Sequence, residues 1–191
     1  MEEAKALAAL RSRDPDAVQE LVSAYGDRLL RSACLLCGDP NEAPDLVQET
    51  FVQAFRSASR FQGRSGAYTW LHAILLNLTR HYHRKRHRIV YDEELAARET
   101  PAPEELTSPL DRDTCSAALM ETLRRLSEPH REVLILRYFE EMKISEIAAH
   151  LEIAAGTVKS RLHFALAEMR KALPGEMNLF GPGGTEKEEQ L

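Results

Sequence analysis

The chain lacks any apolar run approaching the roughly 20 residues that a membrane-crossing helix needs, so no membrane insertion is expected. Its three cysteines are too few for a disulfide framework in 191 residues. Its opening, MEEAKALAAL, is acidic and without the basic start of a secretory signal, which makes the cytoplasm the expected compartment. No phosphate loop, HExxH or Ser-His-Asp order is present, so neither catalysis nor a cofactor is expected. Aromatic residues make up only 6 %, and neither a strand-like alternation nor an internal repeat is found. What is there, 43 % hydrophobic and 29 % charged residues, suits a packed, mostly helical protein.

The formal net charge of −5 argues against nucleic-acid binding only until its distribution is followed. Residues 79–88 read TRHYHRKRHR, with five Arg or Lys, three His and no acid. Residues 92–113 carry eight acids against two arginines, and the stretch after Pro174 carries four acids against one lysine. A basic site thus sits between acidic connectors, and distribution outweighs the sum.

Apolar spacing divides the chain into two helical blocks. Asp14-Pro15 is a cap with proline in the first turn, followed by Val18, Leu21, Val22, Tyr25 and Leu29 at helical intervals. Gly38-Asp39-Pro40-Asn41 signals a turn, and a second helix carries Leu46, Val47, Phe51, Ala54 and Phe55. Residues 61–66 break the pattern before a third helix enters the basic run. From 91 to 114 periodicity is lost among prolines and acids, which predicts a flexible linker. Helical spacing returns over 115–173, and 174–191 is expected to be a disordered tail. The expected architecture is all-α: two small helical domains, 1–90 and 115–173, on a leash.

In the second block, EIAAHLEIAAGTVKSR (residues 146–161) fits a helix-turn-helix. Ala148 is small where the helices cross, and Val158 and Leu162 face the core. Thr157, Lys159, Ser160, Arg161 and His163 lie where side chains reach bases and phosphates. Glu152 stands in the turn where glycine is usual, at a position that often needs positive φ; a helical hairpin without DNA binding is the alternative.

The second block resembles region 4 of bacterial sigma factors. Residues 126–134, LSEPHREVL, are similar to that region's entry, and residues 156–162, GTVKSRL, match its signature in full. Lys143 replaces the usual serine cap, and Ile153-Ala154 the usual residue-proline pair. The first block independently resembles region 2. Residues 45–51 read DLVQETF without a substitution, and Thr69-Trp70-Leu71 with Asn77 is similar to a further segment. Both motifs in this order, with no large central domain between, resemble the extracytoplasmic-function (ECF) group.

The resemblance implies a set of roles. Asp45, Gln48 and Glu49, spaced i, i+3, i+4, would dock on the clamp coiled coil of the polymerase β′ subunit. Phe61, Arg64, Ser65, Tyr68, Trp70, Asn77, Arg80 and Arg84 would read and melt the minus-ten element, with Lys85, Arg86 and Arg88 tracking the backbone. Trp70 has core packing as an equal alternative, and His81, His83 and His87 are expected to be solvated rather than metal-bound. The linker resembles in position a segment that threads the polymerase toward the RNA exit path; a plain tether is the alternative. Thr157, Lys159, Ser160, Arg161 and His163 would read the minus-thirty-five element while region 4 binds the β flap. Promoter DNA, core polymerase and an anti-sigma factor are the implied partners. Two rivals stand beside this: a redox or zinc protein using Cys34 and Cys37, and a stand-alone helix-turn-helix regulator.

Overall fold

The structure, a computed structural model, describes residues 15–61, 63, 65–96 and 117–172. The helices are α1 (Pro15–Cys37), α2 (Ala43–Ser57), α3 (Ala67–Ala96), α4 (Ala117–Arg125), α5 (Glu128–Tyr138), α6 (Ile144–Leu151) and α7 (Ala155–Ala172). A 3-10 turn, Ala58–Arg60, follows α2, and no strand occurs among the described residues. The all-α expectation is met. The expected linker lies mostly outside the described residues, but α3 continues to Ala96, past the boundary expected at 90. The expected tail lies outside them altogether.

Helices α1, α2 and α3 pack on one another in pairs. Helix α1 stops because Gly38 turns left-handed at φ +70°, its N–H returning to the Cys34 carbonyl at 3.1 Å. The Asp39 carboxylate then accepts from the Asn41 N–H at 3.1 Å, which fixes the expected turn. Glycine is required there twice over, since a Cβ would also lie 3.0 Å from the Arg124 side chain. On α2, Ala43, Thr50, Phe51 and Ala54 are buried, while Asp45 and Gln48 are exposed. The N-terminal half of α3 buries Leu71, Leu75 and Leu76; its C-terminal half carries the basic run outward.

In the second group, α5 is the hub. Val133, Leu134, Ile135 and Leu136 are all fully buried, and four consecutive helical residues sweep about 300° of the helix circumference. No single face accommodates that, so α5 is covered on every side: by α6 and α7 of its own group, and by α1 of the other. The buried apolar residues accordingly form one continuous cluster from Leu21 to Met169. The two domains, expected to be joined only by a leash, are packed together.

Candidate nucleic-acid interface

The helix-turn-helix is built as its residues require. Helix α6 begins where the Glu146 carboxylate accepts from the Lys143 N–H at 2.7 Å, so Glu146 supplies a cap that the lysine cannot. It ends on Glu152, left-handed at φ 55°, with the Ile153 N–H reaching back to the Ala148 carbonyl at 3.0 Å. Glutamate therefore takes the conformation that glycine usually provides. Val158, Leu162, Ala165, Leu166 and Met169 fix α7 to the core. Lys159, Ser160 and His163 are exposed, with Thr157 and Arg161 half-buried beside them. The Ser160 hydroxyl donates locally, to the Gly156 and Thr157 carbonyls. One turn on stands Phe164, 58 % exposed and stacked on His130, a large surface aromatic that the sequence analysis did not single out.

The face of α2 forms a different kind of surface. Asp45 and Gln48 are exposed and Glu49 half-buried, hydrogen-bonded to Gln53 at 3.1 Å. Beside them α1 and α2 enclose an apolar groove of about 940 Å³, lined by Val22, Leu30, Val47, Phe51 and Phe55 among others, with Gln48 on its wall. Val22, 44 % exposed, stands at this groove.

The residues expected to handle the minus-ten strand divide. Ser65, Asn77, Arg84, Lys85, Arg86 and Arg88 are exposed. Arg86 reaches the Tyr82 hydroxyl at 2.9 Å and Asp39 at 3.5 Å. Arg64 lies outside the described residues. Phe61 is only 7 % exposed and packs on the half-buried Trp70 with ring centroids 4.7 Å apart. An extended residue after the 3-10 turn points its apolar ring inward, and Trp70 takes the packing alternative left open for it. His83 is likewise not solvated, since its Nε2 lies 3.0 Å from the Leu36 carbonyl. His81 is exposed, and no cluster of potential metal ligands occurs among the described residues.

Tyr68 and Arg80 meet the second group instead of solvent. Arg80 forms a two-pronged ion pair with Glu132, at 2.6 and 2.7 Å. Its guanidinium is held charged chiefly by that hydrogen bond. The Tyr68 hydroxyl donates to Glu140 at 2.8 Å, and its ring lies 3.9 Å beneath the Arg28 guanidinium. Arg28 in turn pairs with Glu140 at 2.9 Å. Burial and the neighbouring Glu140 charge push the Tyr68 phenol well above its ordinary range. His72, fully buried, sits 2.8 Å from Ser32 Oγ and 3.2 Å from His150. Burial first, then His150 and Arg28, pull its pKa down to about 3. Glu140 lies 3.8 Å away but is already neutralised by Arg28, so burial prevails.

Two arginines of the second group also close the end of α1. Arg131 donates to the Leu36 carbonyl at 2.9 Å and to the Leu126 carbonyl at 3.0 Å, and Arg124 donates to the Gly38 carbonyl. Cations at a helix C-terminus meet its unpaired carbonyls and negative dipole end. None of these anchors was predicted. Their signal was present as charged or polar residues inside apolar runs: His72 between Leu71 and Leu75, and Arg131-Glu132 directly before Val133. Burial pushes the Cys37 thiol up to about 12, which keeps it protonated at neutral pH.

Among the described residues no helix is long and apolar enough to cross a membrane. The family model for Sigma-70 region 2 matches residues 21–89, and that for Sigma-70 region 4 matches residues 116–169. The RNA polymerase sigma-H factor of Pseudomonas aeruginosa is 32 % identical over 169 residues, covering 84 % of this chain and 88 % of the relative. The RNA polymerase sigma-E factor of Streptomyces coelicolor is 34 % identical over 159 residues, covering 81 % and 85 %. The ECF sigma factor SigW of Bacillus subtilis is 29 % identical, covering 88 % and 95 %. In structure, the chain is similar to the sigma factor RpoE solved with the anti-sigma factor NepR from Bartonella quintana, with a TM-score of 0.69 and 28 % identity. That likeness covers 84 % of this chain and 98 % of RpoE. The sigma factor motifs, the helix-turn-helix built around them and these matches agree: the chain belongs to the ECF sigma factors, DNA-binding transcription initiation factors of bacterial RNA polymerase and not enzymes.

Proposed function

We propose that the α2 face docks on the clamp coiled coil of the polymerase β′ subunit. Asp45, Gln48 and Glu49 supply its polar contacts, and the apolar groove beside them receives the partner's apolar side chains. An exposed apolar groove rimmed by polar groups is the usual form of a helix-docking surface, and that is the observation that carries this reading. The first unit, through α3, handles the minus-ten element. Asn77 offers an amide to a base edge, Tyr68 a ring, and Ser65, Arg64, Arg80 and Arg84 contacts to the strand. Phe61 and Trp70 serve this surface from within, as the packed pair beneath it.

The second unit, from α4 onward, reads the minus-thirty-five element through Thr157, Lys159, Ser160, Arg161 and His163 while it engages the β flap. A factor that serves core polymerase on DNA works in the cytoplasm, and that is the compartment proposed. The structural relative RpoE was solved with the anti-sigma factor NepR, which supports a cognate anti-sigma factor for this chain.

The test is transcription in vitro with core polymerase on a library of random promoter templates. Transcripts starting downstream of a shared two-part element are expected. They should be lost with Asp45→Ala through core binding, and with Arg161→Ala through promoter choice. Loss of neither would contradict the residue assignment.

A further inference from the structure

Of the large apolar side chains among the described residues, Phe164 on α7 is the most exposed, at 58 %, against 44 % for Val22 and 38 % for Phe139. A single exposed aromatic is ordinary; what distinguishes this one is where α7 puts it. Arg161 precedes it by three residues, Ser160 by four and Thr157 by seven, so all four side chains share one face of the helix. At about 100° per residue, Phe164 lies between Ser160 and Arg161, about 40° from one and about 60° from the other. The other face, with Val158, Leu162, Ala165, Leu166 and Met169, is buried in the core. Along the axis Phe164 stands about 10 Å from Thr157, the length of roughly three base pairs.

The ring is held where it stands. It stacks on His130, in the first turn of α5, with centroids 6.1 Å apart and planes 23° apart, and it meets His163 edge-on at 5.8 Å. Helix α5 is itself fixed through the buried Val133 and Leu134, so the stack ties the ring to a rigid element. A side chain placed in advance loses little freedom on contact. A phenyl ring neither donates nor accepts a hydrogen bond at a base edge. In the major groove the apolar group that base pairs offer is the C5 methyl of thymine. Burying one methyl group is worth about fourfold in affinity.

We propose that Phe164 is a specificity-determining residue of the minus-thirty-five interface: its ring, positioned by His130, packs on the C5 methyl of one thymine and selects a T·A pair there. The inference rests on the minus-thirty-five role proposed for α7 and extends that role from polar contacts to an apolar one. Thr157 and Arg161 supply hydrogen bonds on the same face, and Phe164 reads by shape. A guanine, cytosine or adenine edge under the ring would lose its water without gaining a partner, so the contact also works against the other bases.

The test uses holoenzyme of the full-length chain and core polymerase, on the promoter duplex recovered from the random library. Each thymine of its minus-thirty-five element is replaced in turn by deoxyuridine, which removes the methyl group and leaves every hydrogen-bonding group in place. One such replacement should lower holoenzyme affinity about fourfold. Holoenzyme carrying Phe164→Ala should bind the two duplexes equally. His130→Ala should weaken the discrimination, and His130→Phe, which can stack again, should restore it. Circular dichroism of the Phe164→Ala chain should be unchanged, since the ring stands outside the buried core. A minus-thirty-five element without a methyl-sensitive thymine overturns the proposal, as does one to which Phe164→Ala remains equally sensitive. Discrimination unchanged by His130→Ala overturns the positioning part. Weaker binding of Phe164→Ala to core polymerase without DNA, with methyl discrimination intact, assigns the ring to the polymerase and overturns the proposal too. If Arg161→Ala alters promoter choice while Phe164→Ala leaves discrimination intact, this inference alone fails. If Arg161→Ala leaves promoter choice unchanged, the minus-thirty-five role of α7 fails and takes this inference with it.

Discussion

The α2 and α3 faces of the first unit invite comparison. On α2, Asp45 and Gln48 stand exposed beside an apolar groove, and none of the contacts between the units involves them. On α3, Asn77 and Arg84 are exposed, but Tyr68 and Arg80 are taken by Glu140 and Glu132. The same three helices thus present an open face on α2 and a half-covered face on α3.

Substitutions should separate the two faces by size of effect. Arg131→Ala removes one of the two cations that close α1, takes the Leu126 carbonyl's partner away and leaves the Leu36 carbonyl to His83 alone, so a loss of about 3 kcal/mol is expected by urea unfolding. Asp45→Ala on the open face should stay within about 0.5 kcal/mol. A large loss at Asp45 would show that the α2 face is not free.

Aromatic residues sharpen the contrast. Phe61→Ala opens a cavity beneath Trp70 and should cost about 3 kcal/mol. Phe164→Ala, on the exposed surface of α7, should cost less than about 0.5 kcal/mol. Equal effects would mean that Phe61 is not the core residue described.

The covered face should also respond to pH. His72 is held neutral, with its pKa depressed to about 3, among Arg28 and Ser32 on α1, Tyr68 on α3, Glu140, and His150 on α6. The unfolded chain takes up a proton near the ordinary value of 6.5 while the folded chain does not. Stability is therefore full above about pH 7 and falls as pH drops from there toward 3. From pH 7.5 to 5.5 His72 alone should account for about 1.4 kcal/mol, measured by urea titration, and His72→Gln should flatten the slope. A wild-type slope unchanged by that variant would contradict the assignment. One substitution should give a gain: Glu152→Gly relieves a left-handed glutamate and should raise stability by about 1 kcal/mol, measured by urea unfolding.

Much of the fold was legible because its elements are local. The Gly38 turn, the break at 61–66 and the α7 core positions Val158, Leu162 and Met169 follow from spacing and turn chemistry that a single chain displays. The left-handed Glu152 was legible for the same reason. The anchors between the units were not, because each joins residues 52 to 112 positions apart, and no local pattern couples Arg28 to Glu140. Motifs did mark Arg80 and Tyr68 as functional, but a motif carries no information on which internal partner holds a side chain in the free protein. The burial of Phe61 was not legible for a related reason: the ring it packs on, Trp70, lies on the next helix.

The most direct measurement is binding of the full-length chain to core polymerase and, separately, to a selected promoter duplex. Tight binding to core without DNA, and promoter binding only once core is present, is the result expected of a sigma factor. Specific binding of the free chain to a single duplex site, with no binding to core, would contradict it and make the chain a stand-alone helix-turn-helix regulator.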